Sequence, residues 1–116
     1  MHELAVGQAI VDKVSARAGS RAVRQVTVRI GHLTQVVPDA LEFAWQLLVE
    51  GTTLEGCRLA IEHVPAVVVC NSCGERTELT LPVLVCAGCG TADVELVSGE
   101  ELLVATMDVA TEHEVS

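Results

Sequence analysis

Two segments of the chain carry apolar residues at helical spacing. In residues 3–18 these residues recur at mostly four-residue intervals, as Leu4, Val6, Ile10, Val14 and Ala18. This period lines one face of a helix, and Gly19 supplies a stop signal. The second segment begins with Pro38, which suits the first helical turn, and ends at Gly51. Its apolar stripe consists of Leu41, Ala44, Trp45 and Leu48. The pattern therefore predicts two amphipathic helices.

Three further segments alternate between apolar and polar residues, which indicates half-buried strands. They lie at 21–31, 57–64 and 101–109, with the inward sets Val26, Val28 and Ile30, then Leu59 and Ile61, then Leu103, Ala105, Met107 and Val109. Because a helix connects the first two strands, the handedness rule makes them parallel if they are adjacent. We expect the last strand to return to the same sheet.

Residues 66–97 have a different pattern, in which the apolar runs VVVC and TELTLPVLVC surround two cysteine pairs and several glycines. No helical period fits this region. The sequence therefore predicts an α+β fold, with two helices on a small three-stranded mixed sheet and an inserted β subdomain rich in cysteine. We expect one module from 1–64 and 99–112, the inserted subdomain at 65–98, and a frayed tail at 113–116.

Composition and charge exclude several classes of protein. The 116 residues are half hydrophobic, and Phe43 and Trp45 are the only aromatic residues. No run approaches the ~20 apolar residues of a membrane-spanning helix, and the first residues do not resemble a signal peptide, so we expect a cytoplasmic protein. Seven basic against sixteen acidic residues give a formal charge of −9. Such a chain repels a nucleic-acid backbone, which disfavours nucleic-acid binding.

Four of the five cysteines form two CxxC pairs, each followed directly by glycine: Cys70, Cys73, Cys86 and Cys89. A two-residue spacer lets one tight turn present two thiolates to a tetrahedral zinc ion. Two such turns, joined by a short β-hairpin with Pro82 near its return, bring the pairs together. Four protein ligands leave no vacancy, so the site is expected to be structural. Two dithiol redox pairs are the alternative, although no helix follows either pair to stabilise a thiolate.

The remaining cysteine and most histidines are given structural interpretations. Cys57 stands alone at the start of a strand, where a small buried hydrophobic residue is the more common role. His32, His63 and His113 are interpreted as surface or structural residues. None of them stands at informative spacing from a nucleophile or a carboxylate, so the sequence does not predict an enzyme.

The first three residues, Met1, His2 and Glu3, place an amine, an imidazole and a carboxylate together ahead of the first helix. The amine, a deprotonated amide and the imidazole can wrap one metal ion in fused chelate rings, an arrangement that suits Ni(II) or Cu(II). Glu3 adds a carboxylate and another backbone nitrogen. Taken alone, these residues are more commonly a solvated histidine and a charge at a helix start than a metal site.

Four segments in this order resemble the HypA/HybF family of hydrogenase maturation nickel metallochaperones. They are MHELAVGQAI, GHLTQVVPDALEFAW, the CxxCG pairs and SGEELLVATMDV, and the resemblance covers essentially the whole chain. It implies nickel at Met1, His2 and Glu3. It also implies structural zinc at the positions Cys70, Cys73, Cys86 and Cys89. Family members often have proline after the third cysteine, where this chain has Ala87, which is not a ligand.

The resemblance also implies partners, namely a GTPase of the HypB type and the [NiFe]-hydrogenase large subunit as the eventual recipient of nickel. We expect a monomer or a weak dimer that binds neither membrane nor nucleic acid. The alternatives from other classes are a zinc-ribbon interaction module and a dithiol redox protein.

Overall fold

The computed structural model describes residues 2–110. In chain order the elements are α1 (Glu3–Ala18), β1 (Val23–Gly31), a short 3-10 turn (His32–Thr34), α2 (Pro38–Val49), β2 (Arg58–Val64), β3 (Ala66–Cys70), β4 (Arg76–Leu79), β5 (Val94–Ser98) and β6 (Leu102–Val109). The strands form two three-stranded sheets, in the orders β2-β1-β6 and β4-β3-β5. The α+β class is confirmed, as is the return of the last strand to the first sheet. The expected tail at 113–116 lies outside the described residues.

In the first turn of helix α1, the buried face differs from the one that the sequence predicted. Its N–H to C=O ladder opens with the Val6 amide, which donates to the His2 carbonyl at 2.8 Å. Leu4 is exposed, although the apolar pattern placed it in the core. Leu4 precedes Val6 by two residues, a rotation of roughly 200° about the helix axis, so the two cannot share a face. The face that is buried carries Gly7, Ile10, Val11, Val14 and Ala18.

Helix α2 packs against α1 and against the loop that precedes β2. Leu41, Ala44 and Trp45 are buried, and the Trp45 indole N–H donates to the Cys57 carbonyl at 2.8 Å. The two helices approach closely at Gly7, where an added Cβ would lie 2.8 Å from Cδ1 of Leu48. The distance between α1 and α2 is thus set where Gly7 of one helix meets the end of the Leu48 side chain of the other.

The chain divides into two compact units. Within the described residues, the first contains 2–29, Val36–Glu62 and 103–110, and the second contains Ile30–Gln35 and His63–Leu102. In the first unit, Val26 and Val28 of β1 are fully buried. The Arg29 side chain on the same strand pairs with Glu62 of β2 at 3.1 Å.

The second unit has its own small core beneath the sheet β4-β3-β5. Ala66, Val68 and Leu79 are buried there, and Leu33, Val94 and Leu96 pack against them. Both ladders are antiparallel, with Val68 opposite Thr77 on one side and opposite Leu96 on the other.

One strand of the second unit is shorter than its sequence pattern suggested. The apolar run from Thr77 to Cys86 was expected to be a strand within a hairpin, but β4 ends at Leu79 and pairs with β3. Pro82 has no N–H to donate to a ladder, which confines proline to strand edges and ends. The Val83 amide instead donates to the Leu81 carbonyl at 2.7 Å, in a local turn. The expected hairpin between the cysteine pairs is therefore wrong.

Candidate metal centre

The four paired cysteines converge, and their Sγ atoms all lie within 4.8 Å of one another. The Sγ atoms of Cys70 and Cys89 are 3.6 Å apart, as are those of Cys73 and Cys86. Four sulfurs at about 2.3 Å from a central zinc ion would lie roughly 3.8 Å from one another in a tetrahedron. The cluster therefore has the size that a tetrahedral thiolate site requires, and it joins the two CxxC pairs into one site.

Both CxxC turns have the same backbone construction. In the first, the Gly74 amide donates to the Cys70 carbonyl at 3.0 Å; in the second, the Gly90 amide donates to the Cys86 carbonyl at 2.8 Å. The two glycines have φ values of 78° and 75°, in the left-handed region where a side chain is strained. The glycine after each pair thus closes the turn that presents the two sulfurs.

Backbone amides point at one sulfur of each turn. Cys70 Sγ accepts hydrogen bonds from the amides of Ser72 and Cys73, each at 3.3 Å. Cys86 Sγ accepts equivalent bonds from Gly88 at 3.3 Å and Cys89 at 3.4 Å. Such donors favour the thiolate form.

The electrostatics of the cluster favour one negative charge and oppose a second. The hydrogen bond from the Cys73 amide lowers the pKa of Cys70 to about 6, although desolvation of the thiol raises it in part. The backbone N–H of Glu75 lowers the pKa of Cys73, but the neighbouring thiols of Cys86 and Cys70 outweigh this effect and raise that pKa to about 12. Four thiolates therefore need a cation among them, which is the condition under which metal binding displaces thiol protons.

Several supporting groups were not predicted from the sequence. Thr77 Oγ1 accepts from the Ala87 amide at 3.1 Å, and Asn71 Nδ2 donates to Asp93 Oδ1 at 2.9 Å. The carboxylate of Glu75 lies over Gly88, where an added Cβ would overlap it. These groups come from the first CxxC turn, from Glu75 and Thr77 at the start of β4, and from the segment before β5, so only the folded chain reveals them.

At the amino terminus, the structure places His2 and Glu3 differently. His2 is exposed and precedes α1 without a side-chain hydrogen bond to the helix. Glu3 is buried, and its Oε2 accepts a hydrogen bond from the Val37 amide at 3.1 Å. The third expected nickel residue, Met1, lies outside the described residues. Within residues 2–110, the four cysteines form the one group of three or more potential ligands that is close enough to hold a metal.

The other singled-out residues occupy structural positions. Cys57 is buried, and desolvation raises its pKa, so its interpretation as a small hydrophobic residue is confirmed. His32 Nε2 lies 3.0 Å from the Thr80 carbonyl oxygen. The His32 ring meets that of His63 edge to face at 5.5 Å. His113 lies outside the described residues.

A family model described as hydrogenase/urease nickel incorporation, metallochaperone, hypA matches residues 1–109. The chain belongs to the HypA family. The resemblance read from the sequence is thereby confirmed, and the family is one of nickel metallochaperones that act in hydrogenase maturation.

Curated HypA proteins match over nearly their whole length. The hydrogenase maturation factor HypA of Geobacter metallireducens is 42% identical over 109 residues, which cover 94% of this chain and 99% of that protein. The protein of the same name from Streptomyces avermitilis is 39% identical over 112 residues, covering 92% of this chain and 86% of that protein.

Two solved HypA structures share the fold. The solution structure of the Ni metallochaperone HypA from Helicobacter pylori has a TM-score of 0.65 at 18% identity, covering 97% of this chain and all of that one. A second HypA solution structure gives a TM-score of 0.64 at 19% identity. No helix in the described part of the chain is long and apolar enough to cross a membrane.

Proposed function

We propose that this HypA family member is a cytoplasmic nickel carrier for [NiFe]-hydrogenase maturation, with nickel at its amino terminus and structural zinc at Cys70, Cys73, Cys86 and Cys89. The convergence of the four sulfurs carries the zinc part of the proposal. When bound, zinc supplies a cation that allows all four thiols to ionise and cross-links the two turns. The four thiolates complete its shell, so the site has no position for a substrate and the protein is not an enzyme.

Nickel is cargo, and the proposed ligands are Met1, His2 and Glu3. The exposure of His2 supports this role, because a partner has to reach the ion at handover. The carboxylate of Glu3 is held by the Val37 amide, so Glu3 contributes by fixing the first turn of α1 below His2. Its backbone nitrogen lies next to His2 for coordination. The partners in this proposal are a GTPase of the HypB type and the hydrogenase large subunit, which is the eventual recipient of the nickel. The carrier acts as a monomer or weak dimer.

Replacing His2 by alanine should abolish specific nickel binding and leave zinc and fold unchanged. The reason is that the His2 side chain is exposed and precedes α1, so it supports no core. Nickel calorimetry on zinc-loaded protein tests this, with His63→Ala as the control for loss of a surface histidine. A His2→Ala protein with unchanged nickel affinity would refute the proposed site.

The free amine is tested separately with a tag fused ahead of Met1. A tag turns the amine into an amide, which lacks a readily donated lone pair, so nickel binding should be lost until the tag is removed. If the tagged protein binds nickel as tightly as the tag-free one, the amine is not a ligand and His2 remains.

On acidification we expect nickel to leave before zinc. Both sets of ligands must lose protons to bind metal. Imidazole and amine groups have reference pKa values of roughly 6.5 and 7.7–8.0, so protons compete with nickel for these ligands as the pH falls below neutral. Zinc is held by four thiolates and should need a lower pH for its release. Metal content after dialysis at stepwise lower pH measures the order. Zinc release ahead of nickel would reverse the proposed ranking of the two sites.

A further inference from the structure

Helix α2 presents apolar side chains on its solvent side as well as its buried one. Phe43 is 64% exposed and Leu47 is 53% exposed. They are four residues apart, so they lie on neighbouring turns of one face. Of the two aromatic residues in the chain, Phe43 is thus exposed and Trp45 is buried. Aromatic residues, phenylalanine among them, are enriched in protein interfaces relative to the rest of a protein surface.

The neighbouring face of α2 is acidic. Asp39 and Glu42 of α2 and Glu50, the residue that follows the helix, are exposed, and α2 contains no lysine or arginine. Glu42 and Glu50 also line a cleft of about 540 Å³ with Glu55 and the exposed Arg58. Three carboxylates against one guanidinium leave the cleft negative. In the described part of the chain, no ion pair uses these three carboxylates.

The residue that precedes α2 contacts the first turn of α1, which carries one of the proposed nickel ligands. Val37, the residue before α2, is 54% exposed, and its amide holds the carboxylate of Glu3. The amino-terminal end of α2 therefore lies close to Glu3, the residue that follows His2.

We propose that the exposed face of α2, with Phe43 and Leu47 as anchors and Glu42 and Glu50 at its side, docks a cationic amphipathic helix of a partner protein. A helix can lay its apolar row along Phe43 and Leu47 while lysine or arginine side chains enter the acidic cleft. α2 is 12 residues long, about 18 Å, so the docked helix needs roughly three turns. The inference rests on the proposed function only in identifying the partner as a protein that supplies or receives nickel.

The test uses two synthetic peptides of about 14 residues, roughly 21 Å as helices. Both carry leucines at helical spacing, flanked by lysines in one and by glutamates in the other. Fluorescence anisotropy should show that the full-length protein binds the lysine peptide and not the glutamate peptide. Phe43→Ala should weaken binding at least tenfold, whereas Leu81→Ala, at a residue 67% exposed in the second unit, should leave it unchanged.

Charge is tested with Glu42→Gln, matched to Glu78→Gln at an exposed glutamate of β4. The first should weaken binding and flatten its dependence on salt, and the second should do neither. The inference is overturned if wild type does not bind the lysine peptide, if both peptides bind equally, or if Phe43→Ala or Glu42→Gln binds like wild type. Nickel calorimetry on Phe43→Ala separates the two proposals. This variant should bind nickel like wild type while it loses the lysine peptide, whereas His2→Ala should lose nickel and keep the peptide.

Discussion

Replacing Cys70 by serine is expected to empty the four-cysteine cluster of metal and to unfold the second unit around it. The serine hydroxyl stays protonated near neutral pH and cannot replace a thiolate whose pKa is held at about 6. Three remaining ligands leave the shell incomplete. Structural zinc in small domains contributes about 10–16 kcal/mol of apparent binding energy. That energy exceeds what a core of Ala66, Val68 and Leu79 can replace.

Metal analysis of the purified variant should show well under one zinc per chain. Amide resonances of residues 66–97 should collapse toward unfolded positions, and those of α1 and α2 should be retained, because the helices belong to the other unit. Ser72→Ala is the matched control, since it changes an exposed side chain in the same turn while keeping the amide that bonds Cys70 Sγ. Full zinc content with an intact second unit in Cys70→Ser would contradict the assignment.

Replacing Gly31 by alanine should destabilise the second unit by about 3 kcal/mol or more, at the upper end of overpacking effects. An added Cβ at Gly31 would overlap the carbonyl oxygen of Gly99 and lie 2.7 Å from the amide nitrogen of Glu100. These are backbone atoms, held by hydrogen bonds from the Gly31 amide to the Glu101 carbonyl and from the Leu33 amide to Gly99. No side-chain rotation can therefore relieve the overlap.

Urea unfolding measures this cost, with Gly56→Ala for comparison. Gly56 has a φ of +84°, but no heavy atom lies within 4 Å of an added Cβ. Its replacement should cost only the roughly 1–2 kcal/mol of a left-handed alanine. Equal destabilisation by the two substitutions would show that backbone contact at Gly31 is unimportant.

The sequence allowed the main elements and the cysteine cluster to be predicted because each depends on local chemistry. Helical spacing in 3–18, the Pro38 start of α2 and the alternation of β1 survive in the fold with small changes at their ends. The cysteine pairs were recognisable because a two-residue spacer followed by glycine already specifies the turn, whatever lies between the pairs.

The features that could not be predicted depend on contacts between distant segments. Leu33 follows β1 in the sequence but packs in the core of the second unit, and no local period indicates this. The burial of Glu3 depends on the Val37 amide, 34 residues away. The segment from Thr77 to Cys86 was expected to be a strand because most of its residues are apolar. In the structure β4 pairs with β3 and ends at Leu79, so Leu81, Val83 and Leu84 lie outside any strand.

The two CxxC turns are alike in backbone but unequal in exposure, because Cys70 and Cys86 are buried while Cys73 and Cys89 are exposed. The cluster thus has a solvent-facing half and a protein-facing half. A soluble chelator or an electrophile meets the second cysteine of each turn first, so ligand exchange is expected to be stepwise, with two fast thiols and two slow ones. The lifetime of the bound ion then depends on how fast Cys73 and Cys89 bind the ion again after one of their bonds to it breaks. This rate is a kinetic property and is distinct from the equilibrium affinity of the four-cysteine cluster.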